Sequence, residues 1–115
     1  MPSEVLIESK RFASLGGLED SDVRRILENF VFSLPGHLFS LEMIRDRGNE
    51  KELTTALHKL KGSANTCGFV AIAKVAAAWD DAPDLFVGDF HADLKEAIHA
   101  SIHEWNSITA GVGSR

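Results

Sequence analysis

The sequence predicts an all-α fold, an antiparallel up-and-down bundle of four helices, from two observations. Apolar residues recur three or four positions apart through most of the 115 residues, and no stretch alternates polar and apolar residues with the composition of a strand. The connections between the periodic segments are short, which favours antiparallel neighbours. The segment before Leu18 can add a short helix across one end of the bundle.

The first long helix is predicted over about residues 21–47. Asp20 or Ser21 can cap its N–H groups, and Gly48 follows its last residue. Pro35 lies inside the segment and lacks a backbone donor, so it should kink the helix or divide it, and a kink is expected. The predicted inward positions are Val23, Leu27, Phe30, Leu34, Leu38 and Leu41.

Three further helices complete the predicted bundle. The second covers about residues 49–66, with Gly68 as a left-handed cap, and the third covers about 69–81 until Pro83 stops it. The fourth covers about 89–110. Their predicted core positions are Leu53, Leu57, Leu60, Ala64, Ile72, Val75, Ala76, Trp79, Phe90, Leu94, Ile98 and Trp105.

Length and composition indicate one globular domain. Residues 1–17 are predicted to form an arm or short helix, residues 18–110 the bundle, and residues 111–115 a frayed tail. The net charge is −5 and no Lys/Arg block exceeds two residues, so nucleic acid is not an expected partner. One cysteine, no signal-peptide core and no apolar run of about 20 residues predict a cytoplasmic protein outside the membrane.

A histidine and a glycine share the outward side of the second helix. Relative to its apolar stripe, His58 points roughly 140° away, Gly62 about 180°, Asn65 about 120° and Lys61 about 80°. A glycine inside a helix lowers helix stability by about 1 kcal/mol relative to alanine, so Gly62 is expected to have a structural or functional purpose. An open imidazole is a nucleophile, a lysine nearby can offset the charge of a phosphoryl group, and the glycine leaves space for a second protein. The alternative is a solvated histidine beside an accidental glycine.

The stretch HKLKGSA, residues 58–64, followed by Gly68, closely resembles the H-x-L-K-G-S-A-x-x-x-G signature of histidine-containing phosphotransfer (HPt) domains. These domains serve multistep two-component signalling. The resemblance extends over about residues 18–110, since the helix order and the place of the motif on the second bundle helix also agree.

The resemblance implies a phosphorelay intermediate. His58 would accept a phosphoryl group from a receiver-domain aspartate of a hybrid histidine kinase and pass it to the receiver aspartate of a response regulator. Lys61 would neutralise the phosphoryl charge, Gly62 would admit the receiver, and Ser63 would be the small residue that follows. The resemblance also implies that Mg²⁺ belongs to the receiver, that this chain holds no cofactor or metal, and that it is a carrier without autokinase activity. A monomer is expected.

One position departs from the family pattern. Some members carry a glutamine about 22 residues after the histidine, where it helps to hold the phosphoryl group, and this chain has Asp80 there. A carboxylate facing a phosphoryl group would repel it. Either Asp80 points away from His58, or the phosphohistidine is held differently.

An apolar stripe on the first long helix is a candidate docking surface. Phe32, Phe39 and Met43 fall roughly 120–160° from the inward direction, and exposed apolar patches often mark partner surfaces. Asn65, on the same outward stripe as His58, is a further partner-binding candidate. Two alternatives remain: Pro35 changes the helical phase, or the arm covers the stripe with Val5, Leu6, Ile7 and Phe12.

Two other functions compete with phosphotransfer. The chain could be a helical interaction module that binds a receiver through the same stripe while His58 carries no phosphate. His99 and His103, four residues apart, could share a metal ion, but no third ligand has an obvious place beside them, so solvation is the favoured interpretation.

Overall fold

The computed structural model describes residues 5–13 and 16–112, which form five helices and no strand. This confirms the all-α prediction. Helices α2 and α4 each pack against both α3 and α5, so the four long helices close a bundle in chain order. The helices are α1 Lys10–Ala13, α2 Ser21–Arg47, α3 Glu50–Cys67, α4 Val70–Asp80 and α5 Phe90–Val112.

Local capping signals set the ends of α2 and α3. Asp20 caps α2 through its carboxylate, which accepts from the Asp22 N–H at 2.9 Å. Gly48 ends α2 in the left-handed conformation with φ of 72°. Asn49 then caps α3 by accepting from the Glu52 N–H at 3.0 Å. Two residues therefore suffice to reverse the chain between α2 and α3.

Helix α2 is undivided and helix α5 is longer than predicted. Helix α2 continues through Pro35, so the division at that residue that the sequence left open does not occur. Helix α5 extends to Val112, past the predicted end at Ala110. A single glycine weakens a helix by about 1 kcal/mol without ending it, so Gly111 is helical rather than part of a frayed tail. Residues 113–115 lie outside the described part of the chain.

The core lies where the helical periodicity placed it. Phe30 and Phe69 pack edge to face with ring centroids 5.1 Å apart, joining α2 to the start of α4. The Trp79 indole N–H donates to the Leu85 carbonyl at 2.8 Å, which ties the α4–α5 connection to the bundle. Fully buried side chains come from every long helix and include Leu27, Leu34, Leu41, Leu53, Leu57, Leu60, Ile72, Trp79, Leu94 and Ile98.

The described part of the N-terminal arm, residues 5–13, packs over the corner between α3 and α4. The Glu8 N–H donates to the Gly68 carbonyl at 2.7 Å, and the Ala71 N–H donates to the Leu6 carbonyl at 3.3 Å. Phe12, on the single-turn helix α1, is buried. The predicted short N-terminal helix is therefore present. No helix in the described residues is long and apolar enough to cross a bilayer.

Candidate functional site

His58 projects from the middle of α3 into solvent. Its side chain is 58% exposed, while Leu57 and Leu60, one and two positions away, are fully buried. Gly62 and Asn65 are exposed as the helical geometry predicted, and Lys61 is half-buried. The imidazole is therefore held by a helix whose other face is fixed in the core, which gives the ring a defined place at the surface.

A shallow groove runs beside His58 between α2 and α3. Helix α2 contributes an exposed isoleucine, Ile26, and the buried Phe30. The groove is therefore apolar on its α2 side and mostly polar on its α3 side. Its lining residues are Ile26, Phe30, His58, Lys59, Gly62, Ser63, Thr66 and Cys67.

Gly62 has no packing role within this chain. A Cβ at this position would meet no heavy atom within 4 Å, so the bundle itself would tolerate any side chain pointing outward there. Its φ is also not in the left-handed region, so the backbone does not require glycine. The open space lies in the groove, one helical turn after His58.

Two lysines flank the histidine on different sides. Lys61 lies about 60° around α3 from His58, and Lys59 lies about 100° in the other direction. Lys59 lines the groove, whereas Lys61 does not. Burial and the charge of Lys59 both lower the pKa of His37 on α2, so Lys59 places positive charge on the α2 side of the groove. Sequence reasoning singled out Lys61 and missed Lys59.

Asp80 faces the histidine. Its Oδ2 lies 3.1 Å from His58 Nε2, and its side chain is only 9% exposed. Of the two alternatives that the sequence left open, a carboxylate that points away is therefore wrong. The His58 ring therefore lies between two features. The carboxylate of Asp80 on α4 is on one side, and the groove toward α2 is on the other.

The predicted apolar stripe is exposed but does not border the groove. Phe32 is 86% exposed, and Phe39 and Met43 are also exposed, so the described arm does not cover them. Phe32 lies about 120° around α2 from Ile26 and lines a different groove, between α2 and α5. Ile26, which is 60% exposed, is the exposed apolar residue of α2 that lines the groove with His58, and sequence reasoning missed it.

The remaining candidate residues are Cys67, His99 and His103, and none of them is supported as a reactive or metal-binding group. Burial raises the pKa of the Cys67 thiol, which keeps it protonated and suits a core residue. His99 and His103 are exposed on α5. Across residues 5–13 and 16–112, no three His, Cys, Asp or Glu side chains come together as metal ligands would.

Fold and site together define a class of protein: a four-helix bundle that presents a helical histidine, His58, to solvent beside a shallow groove. The family model of the Hpt domain matches residues 25–104, and the chain belongs to this family of histidine phosphotransfer domains. Such domains act in phosphorelays with receiver domains as partners. Comparison with curated proteins and with solved structures gives no significant match.

Proposed function

We propose that this chain is a phosphorelay intermediate in which His58 accepts a phosphoryl group from the aspartate of one receiver domain and passes it to the aspartate of another. One nitrogen of the neutral imidazole attacks phosphorus, the N–P bond forms, and the P–O bond to the receiver breaks to release its carboxylate. The second transfer reverses these bonds. A hybrid histidine kinase and a response regulator are the proposed sources of the two receivers.

The exposed ring of His58 beside the empty space over Gly62 is the observation that supports this proposal. In-line attack needs the phosphorus of an aspartyl phosphate within about 3.5 Å of a ring nitrogen, so the receiver surface must come down onto α3. A side chain one turn after the histidine would hold that surface away. Gly62 presents no side chain, and Ser63 and Thr66, which line the same groove, are small.

The groove and the surface around His58 offer contacts that suit a receiver. Ile26 and Phe30 provide apolar area on the α2 side, and Lys59 and Lys61 provide a cation on either side of the ring. Positive charge near the transferring group stabilises the charge that it carries. The receiver is proposed to supply Mg²⁺ and the remaining catalytic groups, so that this chain acts as a carrier and needs no cofactor of its own.

The proposal is tested by incubating the full chain with a receiver domain that carries radiolabelled phosphate on its aspartate, in the presence of Mg²⁺. Label is expected to move to the chain in a form that acid hydrolyses and base does not, as a phosphoramidate behaves. Addition of a second, unlabelled receiver is expected to remove it. Failure of transfer from every receiver of the host would overturn the proposal.

A second candidate function is receiver binding without phosphate transfer. The carboxylate of Asp80 beside His58 favours it, because negative charge at this place opposes a phosphoryl group on the nearest nitrogen. In that case the chain would form a complex with a receiver, measurable by calorimetry, while no label moved. The exposed stripe of Phe32, Phe39 and Met43 on α2 and the exposed Asn65 on α3 stay predicted contacts for either function.

Replacement of Gly62 by glutamine is expected to change stability and transfer in opposite directions. Glutamine is a good helix former and its Cβ meets nothing, so the free energy of unfolding should rise by about 1 kcal/mol. Its side chain would fill the space beside the ring, and transfer should slow by at least about tenfold, equivalent to roughly 1.4 kcal/mol. Urea unfolding and the initial rate of label transfer measure the two effects.

Gly36→Gln is the matched control. Gly36 is also helical and exposed, its Cβ would also meet nothing within 4 Å, and it does not line the groove. The control should gain similar stability, and its transfer rate should fall less than that of Gly62→Gln, although Gly36 lies between Phe32 and Phe39 on α2. Equal transfer rates for both variants would show that the missing side chain of Gly62 has no part in receiver approach.

A further inference from the structure

The exposed stripe on α2 extends beyond its three apolar residues. A helical glycine lies between them and a charged residue follows at each end, so that the extended stripe comprises Glu28, Phe32, Gly36, Phe39, Met43 and Arg47. At about 100° per residue, its members share roughly 100° of the helix circumference and point away from the buried Leu34 and Leu41. The extended stripe is therefore the outermost face of α2.

The spacing along the extended stripe is the same when it is read from either end. Successive members are four, four, three, four and four positions apart. When two copies of α2 lie antiparallel, a two-fold axis midway between His37 and Leu38 therefore maps the stripe onto itself. In this arrangement Phe32 faces Met43 of the second copy, and Gly36 faces its Phe39.

Gly36 allows the two helices to approach closely at the centre of this pairing. Its φ is not in the left-handed region and a Cβ there would have no neighbour within 4 Å, so neither the backbone nor the bundle requires a glycine. A glycine inside a helix lowers helix stability by about 1 kcal/mol relative to alanine. Against a second α2, the missing side chain leaves the space that the opposing Phe39 ring would fill.

The charged ends of the extended stripe are complementary to each other. The two-fold axis that pairs the apolar residues also sets Glu28 against Arg47 of the second copy. The Glu28 side chain is 46% exposed beside Arg24, and the Arg47 side chain is 55% exposed beside Glu52, so both keep open surface for a further partner. A parallel pairing would set like charges against each other, so the charges favour the antiparallel arrangement.

The exposed apolar area suits a weak dimer. Phe32 is 86% and Phe39 is 63% exposed, which leaves roughly 300 Å² of these two residues open to water in each copy, at about 200 Å² per phenylalanine. Exposed apolar patches of this size often mark interaction sites. Two such surfaces and their rims reach the lower end of specific interfaces, about 1,000–1,200 Å² in total. The expected dimer is therefore reversible, with a dissociation constant on the order of 10 µM.

We propose that the extended stripe is a self-association surface, through which two copies of this chain pair antiparallel along α2. The inference does not depend on the proposed function. Ile26, which lines the His58 groove, lies about 120° around α2 from Phe32, so each copy in the dimer keeps its His58 open to a receiver. A self-associating chain departs from the monomer expected from the sequence, and a receiver is the competing occupant of the stripe.

Sedimentation equilibrium of the full chain alone, over about 1 to 500 µM, measures the association. The wild type is expected to pass from monomer to dimer within this range. Phe32→Gln should raise the dissociation constant at least about tenfold, because it removes the largest exposed ring from the interface. Val87→Gln is the matched control: it removes a 63% exposed apolar side chain from the α4–α5 connection and should leave the dissociation constant unchanged.

Gly36→Gln separates the dimer from the fold. The variant should be the more stable chain in urea, because glutamine is a good helix former and its Cβ meets nothing within the bundle. Its side chain would nevertheless occupy the space opposite Phe39, so the dissociation constant should rise at least about tenfold. A weaker dimer of a more stable chain cannot result from unfolding.

Charge reversal tests the antiparallel register. Glu28→Arg and Arg47→Glu each set like charges against each other across the pair, so each should weaken the dimer. Both changes in one chain restore opposite charges and should return the dissociation constant to within about threefold of the wild type. Circular dichroism of the same samples confirms that each variant is folded.

A wild type that stays monomeric throughout this range would overturn the inference, as would a Gly36→Gln variant that dimerises like the wild type. Failure of the double charge reversal to recover the dimer would overturn the antiparallel register. If the chain is monomeric and Phe32→Gln instead weakens receiver binding in calorimetry, the receiver occupies the stripe and self-association is wrong. None of the sedimentation results bears on His58 as the phosphoryl acceptor, because no receiver is present.

Discussion

Glutamine in place of His58 is expected to abolish the uptake of acid-labile phosphate, reducing label on the chain to the background of a reaction without receiver. The glutamine amide nitrogen shares its lone pair with the carbonyl group and does not attack phosphorus. Fold should be kept, because the His58 side chain is mostly exposed and glutamine is the better helix former. Label transfer from a phosphorylated receiver, with circular dichroism on the same samples, measures both expectations.

His99→Gln and His103→Gln are the matched controls, since both histidines are exposed on a helix of the same bundle. Each should accept label at the wild-type rate. Label that persists on His58→Gln would identify another nucleophile and remove His58 from the proposed mechanism. Loss of label from either control would show that the experiment responds to any change at an exposed histidine.

The order and ends of the helices could be predicted because their signals are local. Asp20 and Asn49 cap the helix that follows each of them, and Gly48 and Gly68 end the helix that precedes each of them. These signals act within one turn of the chain, so they do not depend on how the helices later pack. The same holds for the burial of the apolar stripe and the exposure of His58, which follow from helical periodicity alone.

The arrangement of neighbouring helices around the site could not be predicted in the same way. Helical periodicity gives the direction of a residue relative to the core of its own helix, and it does not say which neighbour lies on which side. Phe32 was correctly predicted to be exposed, but it lies on the α5 side of α2. Ile26, beside the buried Leu27, lies toward α3 and His58. Only the packing of α2 between its two neighbours distinguishes them.

Asp80 shows the same limit across two helices. Its distance along the chain places it on the helix after His58, but whether it meets the ring depends on the rotation of α4 against α3. That rotation depends on tertiary packing, since α4 packs against both α3 and α5. The sequence therefore identifies Asp80 as the residue to consider, but it does not predict whether its side chain points toward His58. A carboxylate at a helix C-terminus was the local irregularity that could have favoured a functional position.

Alanine in place of Gly68 is expected to lower the free energy of unfolding by about 2 to 3 kcal/mol, a fall in Tm of roughly 10 °C. Two costs combine. Gly68 has φ of 82°, which side chains with a Cβ rarely adopt, and a Cβ there would lie 2.7 Å from the backbone oxygen of Glu8. Since the Glu8 N–H also bonds the Gly68 carbonyl, relief of the clash would loosen the arm from the α3–α4 corner. Thermal and urea unfolding measure the loss.

Gly48→Ala measures the cost of the left-handed conformation without the clash. Gly62→Ala is expected to change the free energy of unfolding in the opposite direction. Gly48 has φ of 72° and open space around its Cβ, so alanine there should cost only the strain of the left-handed conformation, about 1 kcal/mol. Gly62 has neither constraint, so alanine there should stabilise the chain. The three variants are therefore expected to rank Gly62→Ala, Gly48→Ala, Gly68→Ala from most to least stable. Equal losses for the last two would show that the arm does not press on Gly68.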